Sequence, residues 1–278
     1  MVEFVAWWAL VGCVGYVLKC LGDGAVNHGS IQSPGLKIIP GHTERGALEI
    51  NLSTDGANVF IGGATGSGKT MMVNAILLQL LENYPDIAVF VHDGKLGAGY
   101  KPFFPLPNFH MIPLDGLESQ LQAILSEVDS RNARFAGLEN CWDIEDYNQQ
   151  QESPLNYWLV VIDEFSHLAK KKNIMEKLVE MACRCRSAGI FLMMATQRKT
   201  DKAVGNDLTD NFGVRIALRV LEESSSKAII GSPEACHIPA SKKGQAIYRG
   251  DELITFQGFY LSSGELVRRI EKIKEIER

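Results

Sequence analysis

Several things are scarce in this chain, and each scarcity narrows what it can be. It has no excess of positive charge: 28 Lys and Arg against 33 Asp and Glu leave a formal −5, which argues against a protein coated in basic residues. It lacks a disulfide framework. The six cysteines (Cys13, Cys20, Cys141, Cys183, Cys185 and Cys236) are scattered through 278 residues, unlike the dense spacing of a stapled secreted module. The C-x₂₋₄-C pairs of structural zinc sites are missing. Cys183-x-Cys185 and Cys236-His237 do not fit that spacing and read as core or surface thiols, and the histidines form no ligand pattern. No internal repeat is present. No basic stretch precedes the first apolar segment, where Glu3 stands instead, and no small-x-small cleavage site stands out; a cleaved signal peptide is disfavoured.

What is present points elsewhere. Apolar residues make up 46% of the chain, enough for the core of one large α/β domain with small additions. Gly63-Ala64-Thr65-Gly66-Ser67-Gly68-Lys69-Thr70 is a complete G-x-x-x-x-G-K-[ST] loop. Its glycines let successive N–H groups curl toward phosphate oxygens. In that pattern Lys69 reaches the β- and γ-phosphates and the Thr70 hydroxyl ligates Mg²⁺. Asn58–Ile61 predicts a buried strand before the loop, and Met71–Leu81 an apolar helix after it, whose positive dipole end adds to anion binding.

A second acidic signal lies about ninety residues on. Tyr157-Trp158-Leu159-Val160-Val161-Ile162 is the unbroken apolar run of a parallel strand covered on both faces. Asp163 at its end is placed to hold Mg²⁺, and Glu164 to polarise the attacking water. Together the two motifs predict ATP hydrolysis with ATP and Mg²⁺ as cofactors.

Charge is distributed unevenly. From Ala169 to Lys202 nine Lys or Arg face three acids, +6, leaving −11 for the remainder. A basic segment on an acidic body suits a polyanion held along one surface, although Lys170–Lys172 read as a solvated helix face. At the other end Phe4–Leu18 is uncharged and apolar. Extended to Leu21 by a snorkelling Lys19 it reaches the short end of a membrane span, roughly 17–25 residues; a buried helix or an oligomer contact is the alternative. Glu3 before it and Lys19 after it place the remainder on the cytoplasmic side.

Between these landmarks apolar strands alternate with helices, which predicts a mostly parallel sheet covered on both faces. Leu36–Pro40 and Ala47–Leu52 read as a hairpin and Leu117–Phe135 as a helix. Asn140–Pro154 reads as a polar surface excursion. The expected division is an apolar N-terminal helix (1–21), a linker (22–35), an ATPase domain (36–261) and a C-terminal helix (262–278).

These residues form a series that resembles the motor domain of the FtsK/SpoIIIE family of DNA-pumping ATPases, relatives of HerA and of conjugative coupling proteins. The loop at 63–70 followed by Val73-Asn74-Ala75, then Asp93-Gly94-Lys95, Val161-Ile162-Asp163-Glu164-Phe165, Arg186-Ser187-Ala188-Gly189-Ile190, Ala195-Thr196-Gln197-Arg198, Arg215-Ile216-Ala217-Leu218-Arg219 and Gly244-Gln245-Ala246-Ile247-Tyr248 come in the family's order. The resemblance implies a RecA-like P-loop core and a ring, usually hexameric, with ATP between subunits and DNA in the pore. It makes Arg186 the finger donated to a neighbour's γ-phosphate, with Arg184 as the nearby substitute. It makes Gln197 a γ-phosphate sensor, and sets Arg198, Lys199 and Lys202 on a loop toward DNA phosphates. A membrane-tethered translocase serving DNA transfer or segregation, with a relaxase or similar partner, is the leading expectation. A phage packaging ATPase, an ATPase energising protein secretion and a non-motor ATP-binding adaptor are the alternatives.

Overall fold

The computed structural model describes residues 35–94, 97–197 and 211–276. A compact unit begins at Gly35. The expected N-terminal span lies outside the described residues, as do Lys95, Arg198, Lys199 and Lys202.

Ten strands build one sheet: β1 (Lys37–Thr43), β2 (Gly46–Asn51), β3 (Val59–Gly62), β4 (Ala88–Asp93), β5 (Phe109–Met111), β6 (Trp158–Asp163), β7 (Ile190–Thr196), β8 (Val214–Leu218), β9 (Gln245–Arg249) and β10 (Leu253–Gly258). Their order is β2-β1-β10-β9-β8-β3-β7-β6-β4-β5. The half from β8 to β5 is parallel. The other half is an antiparallel wing, in which the expected hairpin β1–β2 joins the closing pair β9–β10. The helices are α1 (Lys69–Asn83), α2 (Leu117–Ala136), α3 (Ile144–Gln150), α4 (Lys172–Arg184), α5 (Glu223–Ile230) and α6 (Ser263–Ile276).

Alternation along each central strand explains the layers, because successive side chains point to opposite faces. Leu159 and Val161 of β6 join one apolar cluster with Val73, Ile76 and Leu80 of α1 and Leu266, Ile270 and Ile273 of α6. Val160 and Ile162 join the other with Leu121, Ile124 and Val128 of α2, and Leu178 and Met181 of α4. Both faces are therefore covered, and β3 and β7 are buried at every position. Arg269 of α6 reaches Glu82 of α1 and fastens the last helix to the first.

One element gave no signal of its own. The segment 140–154 lies mostly at the surface, as expected for a polar excursion, and within it stands α3, capped by the Asp143 carboxylate accepting from the Asp146 N–H at 3.0 Å. Only Ile144 of that helix is buried, and it packs where a Cβ on Gly189 would stand, 2.3 Å from Ile144 Cδ1. A seven-residue helix with a single buried anchor leaves little periodic signal to read.

Candidate nucleotide site

The loop leaves β3 at Gly62 and enters α1 at Lys69. Gly66 and Gly68 hold φ values of 79° and 108°, a region that side-chain-bearing residues enter at a cost. The loop is pinned on three sides. Gly63 N–H donates to the Thr196 carbonyl (3.2 Å), Ala64 N–H to that of Arg219 (2.9 Å), and Gly244 N–H to that of Ser67 (2.9 Å). Its shape is thus set by β7, by the end of β8 and by the turn before β9. Ser67 Oγ is buried with no hydrogen-bond partner among the described residues. A buried hydroxyl left unpaired is costly, and a phosphate oxygen in the cradle would relieve it.

Lys69 and Asp163 meet below the loop. Nζ lies 2.6 Å from Oδ1, with both side chains more than nine-tenths buried. The other carboxylate oxygen accepts from the Tyr100 hydroxyl at 3.0 Å. Burial, reinforced by the adjacent Asp163 charge, lifts the Tyr100 phenol well above its ordinary range, so it stays a donor. The site therefore already holds a cationic group against Asp163, and the half-exposed Thr70 stands at the mouth of α1. This donor set fits Mg²⁺, a hard cation that takes oxygen ligands.

Glu164 ends the strand in a left-handed conformation, φ 62°. That turn redirects its carboxylate toward β7: Gln197 N–H donates to Oε2 at 3.1 Å, and the Thr196 and Ser166 hydroxyls donate to Oε1 at 3.3 and 2.5 Å. Gln197 in turn accepts from the Thr65 hydroxyl at 3.0 Å. Gln197 thus bridges Glu164 to the phosphate loop, an arrangement suited to reporting whether a γ-phosphate is present.

Arg184 and Arg186 separate cleanly. Arg184 is held by Asp129 of α2 and Glu180 of α4. Arg186 is exposed, and its side chain has no hydrogen-bond or ion-pair partner among the described residues. It precedes the amino end of β7, whereas the phosphate loop sits at the carboxyl end. Seven strand residues at about 3.3 Å each keep it from its own site. Its loop is nevertheless firmly held. Arg131, 1% exposed, donates to the Ala188 and Asn156 carbonyls, both at 2.8 Å, and stacks 4.9 Å over Trp158. Ile144 N–H donates to Ser187 at 2.8 Å.

Three groups here had no sequence signal of their own. Tyr100 stands in a Pro- and aromatic-rich segment that forms a 3₁₀ helix, Ala98–Phe103. Arg131 interrupts an otherwise apolar helix face. His92 and His167 lie in contact, Nε2 to Nε2 at 3.0 Å, beside the Glu164 turn. Burial lowers the His92 pKa. The Lys170–Lys172 run is solvent-exposed, with only Lys172 of the three inside α4, and Lys172 meets Glu176 one turn on.

Among the described residues no helix is long and apolar enough to cross a membrane.

Comparison with known proteins agrees with this geometry. The chain is 28% identical over 234 residues to a DNA translocase FtsK of Borreliella burgdorferi, covering 78% of this chain and 29% of that protein. It is 29% identical over 224 residues to the ESX-1 secretion system protein EccCa1 of Mycobacterium tuberculosis, covering 72% of this chain and 30% of that one. It thus spans less than a third of the length of these relatives. Among solved structures, the pCW3 conjugation coupling protein TcpA with ATPγS superposes with a TM-score of 0.79 at 24% identity, over 89% of this chain and 72% of that one. The cytoplasmic domain of the Thermomonospora curvata Type VII secretion ATPase EccC gives 0.78 at 24% identity, over 88% and 32%. These likenesses establish the P-loop ATPase fold. The FtsK/SpoIIIE family model matches residues 32–201, more than half of the sequence and every element from the hairpin to the end of β7, and this chain belongs to that family.

Proposed function

We propose that this chain is an ATP-driven DNA translocase working as an oligomeric ring, a hexamer, with ATP hydrolysed at the seams between protomers. One observation carries this reading. The phosphate loop, Asp163 and Glu164 gather at one end of the sheet, while an exposed, firmly mounted Arg186 sits at the other end, out of reach of them.

Each residue then has a task. The loop Gly63–Thr70 receives the phosphates through the N–H groups of Thr65, Gly66, Gly68, Lys69 and Thr70 and the Ser67 hydroxyl, those of Gly63 and Ala64 being tied to neighbouring carbonyls, and Lys69 turns from Asp163 toward the β- and γ-phosphates. Thr70 and Asp163 would hold Mg²⁺, which when bound offsets phosphate charge. Glu164 orients the attacking water and accepts its proton. Gln197 carries the loss of the γ-phosphate to Thr196 and β7. Arg186 of one protomer neutralises transition-state charge in the next. Arg198, Lys199 and Lys202 contact DNA phosphates.

In this reading residues 36–261 are the motor, 262–278 its closing helix, and 1–21 a membrane span joined by the linker 22–35, with the motor on the cytoplasmic face. The setting is DNA transfer or segregation of a plasmid, mobile element or phage. A second reading, an ATPase that energises protein secretion, is favoured by the similarity to EccCa1.

Measuring ATPase rate with and without single- and double-stranded DNA tests the choice. A several-fold stimulation by DNA is the expected result. A rate indifferent to every DNA offered, yet raised by a secreted peptide, would replace the first reading with the second.

A further inference from the structure

Helix α5 borders a cavity beside the phosphate loop: Ser225 and Ile229 of the helix and Glu222 just before it line this cavity together with Gly63, Ala64 and Gln197. A different side of the same helix carries Glu223, which meets Cys236 and His237 of the 3₁₀ helix Glu234–His237. One ligand atom from each (a carboxylate oxygen, the thiol sulfur and a ring nitrogen) lies within 4.8 Å of the others. We propose that Glu223, Cys236 and His237 form a Zn²⁺ site that clamps α5 to the segment following it.

The backbone beneath the cluster is already fixed. The fully buried Ser226 donates to the Ser232 carbonyl at 2.5 Å and accepts from the Ala235 N–H at 3.1 Å. Val220 N–H reaches the Ala235 carbonyl at 3.3 Å, and Cys236 N–H that of Pro233 at 3.1 Å. Two neighbouring ligands on a held turn, with a third on the facing helix, lose little freedom on binding.

The chemistry selects the ion. Thiolate, imidazole and carboxylate are the ligand types of tetrahedral Zn²⁺, at about 2.0–2.3 Å. Ligand atoms around such an ion stand roughly 3.3–3.7 Å apart, so the cluster closes by about 1 Å. The exposed Glu223 and His237 side chains can supply that movement. Binding exchanges the Cys236 thiol proton for the metal and releases that proton to solvent. Lys227 Nζ contacts Glu223 Oε2 at 3.1 Å, leaving Oε1 for the ion. Three protein ligands leave the fourth position to water.

The test uses the full chain, stripped with chelator under reductant and titrated with Co²⁺ as the spectroscopic probe, then with Zn²⁺. One equivalent of Co²⁺ should produce a thiolate-to-metal charge-transfer band with visible bands of tetrahedral intensity, all displaced by Zn²⁺. Cys236→Ser should abolish the charge-transfer band, and Cys183→Ser, at an exposed thiol elsewhere, should leave it unchanged. Glu223→Gln and His237→Ala, both at exposed positions, should each weaken Co²⁺ binding ~10-fold or more. A wild-type chain with no such band, a band that survives Cys236→Ser, or unchanged affinity in the two exposed variants would each overturn the site.

Discussion

The two ends of the parallel sheet are built by opposite rules. At the carboxyl end, charge is buried and spoken for: Lys69 is paired with Asp163, Tyr100 fills the second carboxylate oxygen, and Glu164 is tied to β7. At the amino end the burial runs the other way. Arg131 is sealed inside as a brace, while the arginine it indirectly supports, Arg186, is left in solvent. Breaking a buried ion pair by removing one partner costs roughly 3–5 kcal/mol, so neither Lys69 nor Asp163 can be lost without leaving the other's charge buried and uncompensated. An exposed guanidinium costs the fold almost nothing. Such a group, held on a rigid loop and unreachable from its own site, suits a partner outside the chain.

Variants can sharpen this contrast. The largest expected effect is at the exposed end. Arg186→Ala should lower ATP turnover on the order of 10³-fold in steady-state assays, with affinity for a non-hydrolysable ATP analogue held within about twofold. Glu164→Gln should follow, reducing turnover by roughly 10²-fold or more while keeping ATP bound, as single-turnover assays would register. Arg131→Met should act through the brace. Losing the donors to the Ala188 and Asn156 carbonyls should cost about 2–4 kcal/mol in denaturant unfolding, and turnover should fall more than nucleotide affinity. Tyr100→Phe should be mildest, about 1 kcal/mol of stability in the nucleotide-free protein. If Tyr100→Phe exceeded Arg131→Met, the carboxyl end would be the more finely balanced of the two.

Legibility in the sequence followed the same divide. The phosphate loop, Asp163 and Glu164 are plain in the sequence because the loop's residue types follow one pattern and both acids stand directly after an unbroken apolar run. The parallel strands are equally plain, since burial on both faces removes polar interruptions from β6 and β7. The brace was not legible. Arg131 looks like any helix-surface arginine, and only the fold brings it to carbonyls 25 and 57 residues away. Tyr100 was hidden for the same reason, in a segment whose 3₁₀ turn carries no periodic signal. Glu223, Cys236 and His237 fit no metal spacing, and proximity across α5 and the following turn is what groups them. The union of the β1–β2 hairpin with β9–β10 was also invisible, because pairing across more than two hundred residues leaves no local trace.

The central claim is that one protomer's phosphate loop works with another's Arg186. Mixing two inactive variants tests it most directly: Lys69→Ala, which cannot hold phosphate, and Arg186→Ala, which cannot donate the finger. If the site is shared, co-assembly recreates complete seams, each with Lys69 from one chain and Arg186 from the other, and ATPase activity should recover well above the sum of the two preparations. Activity that never exceeds that sum, with mixed oligomers demonstrably formed, would contradict the claim.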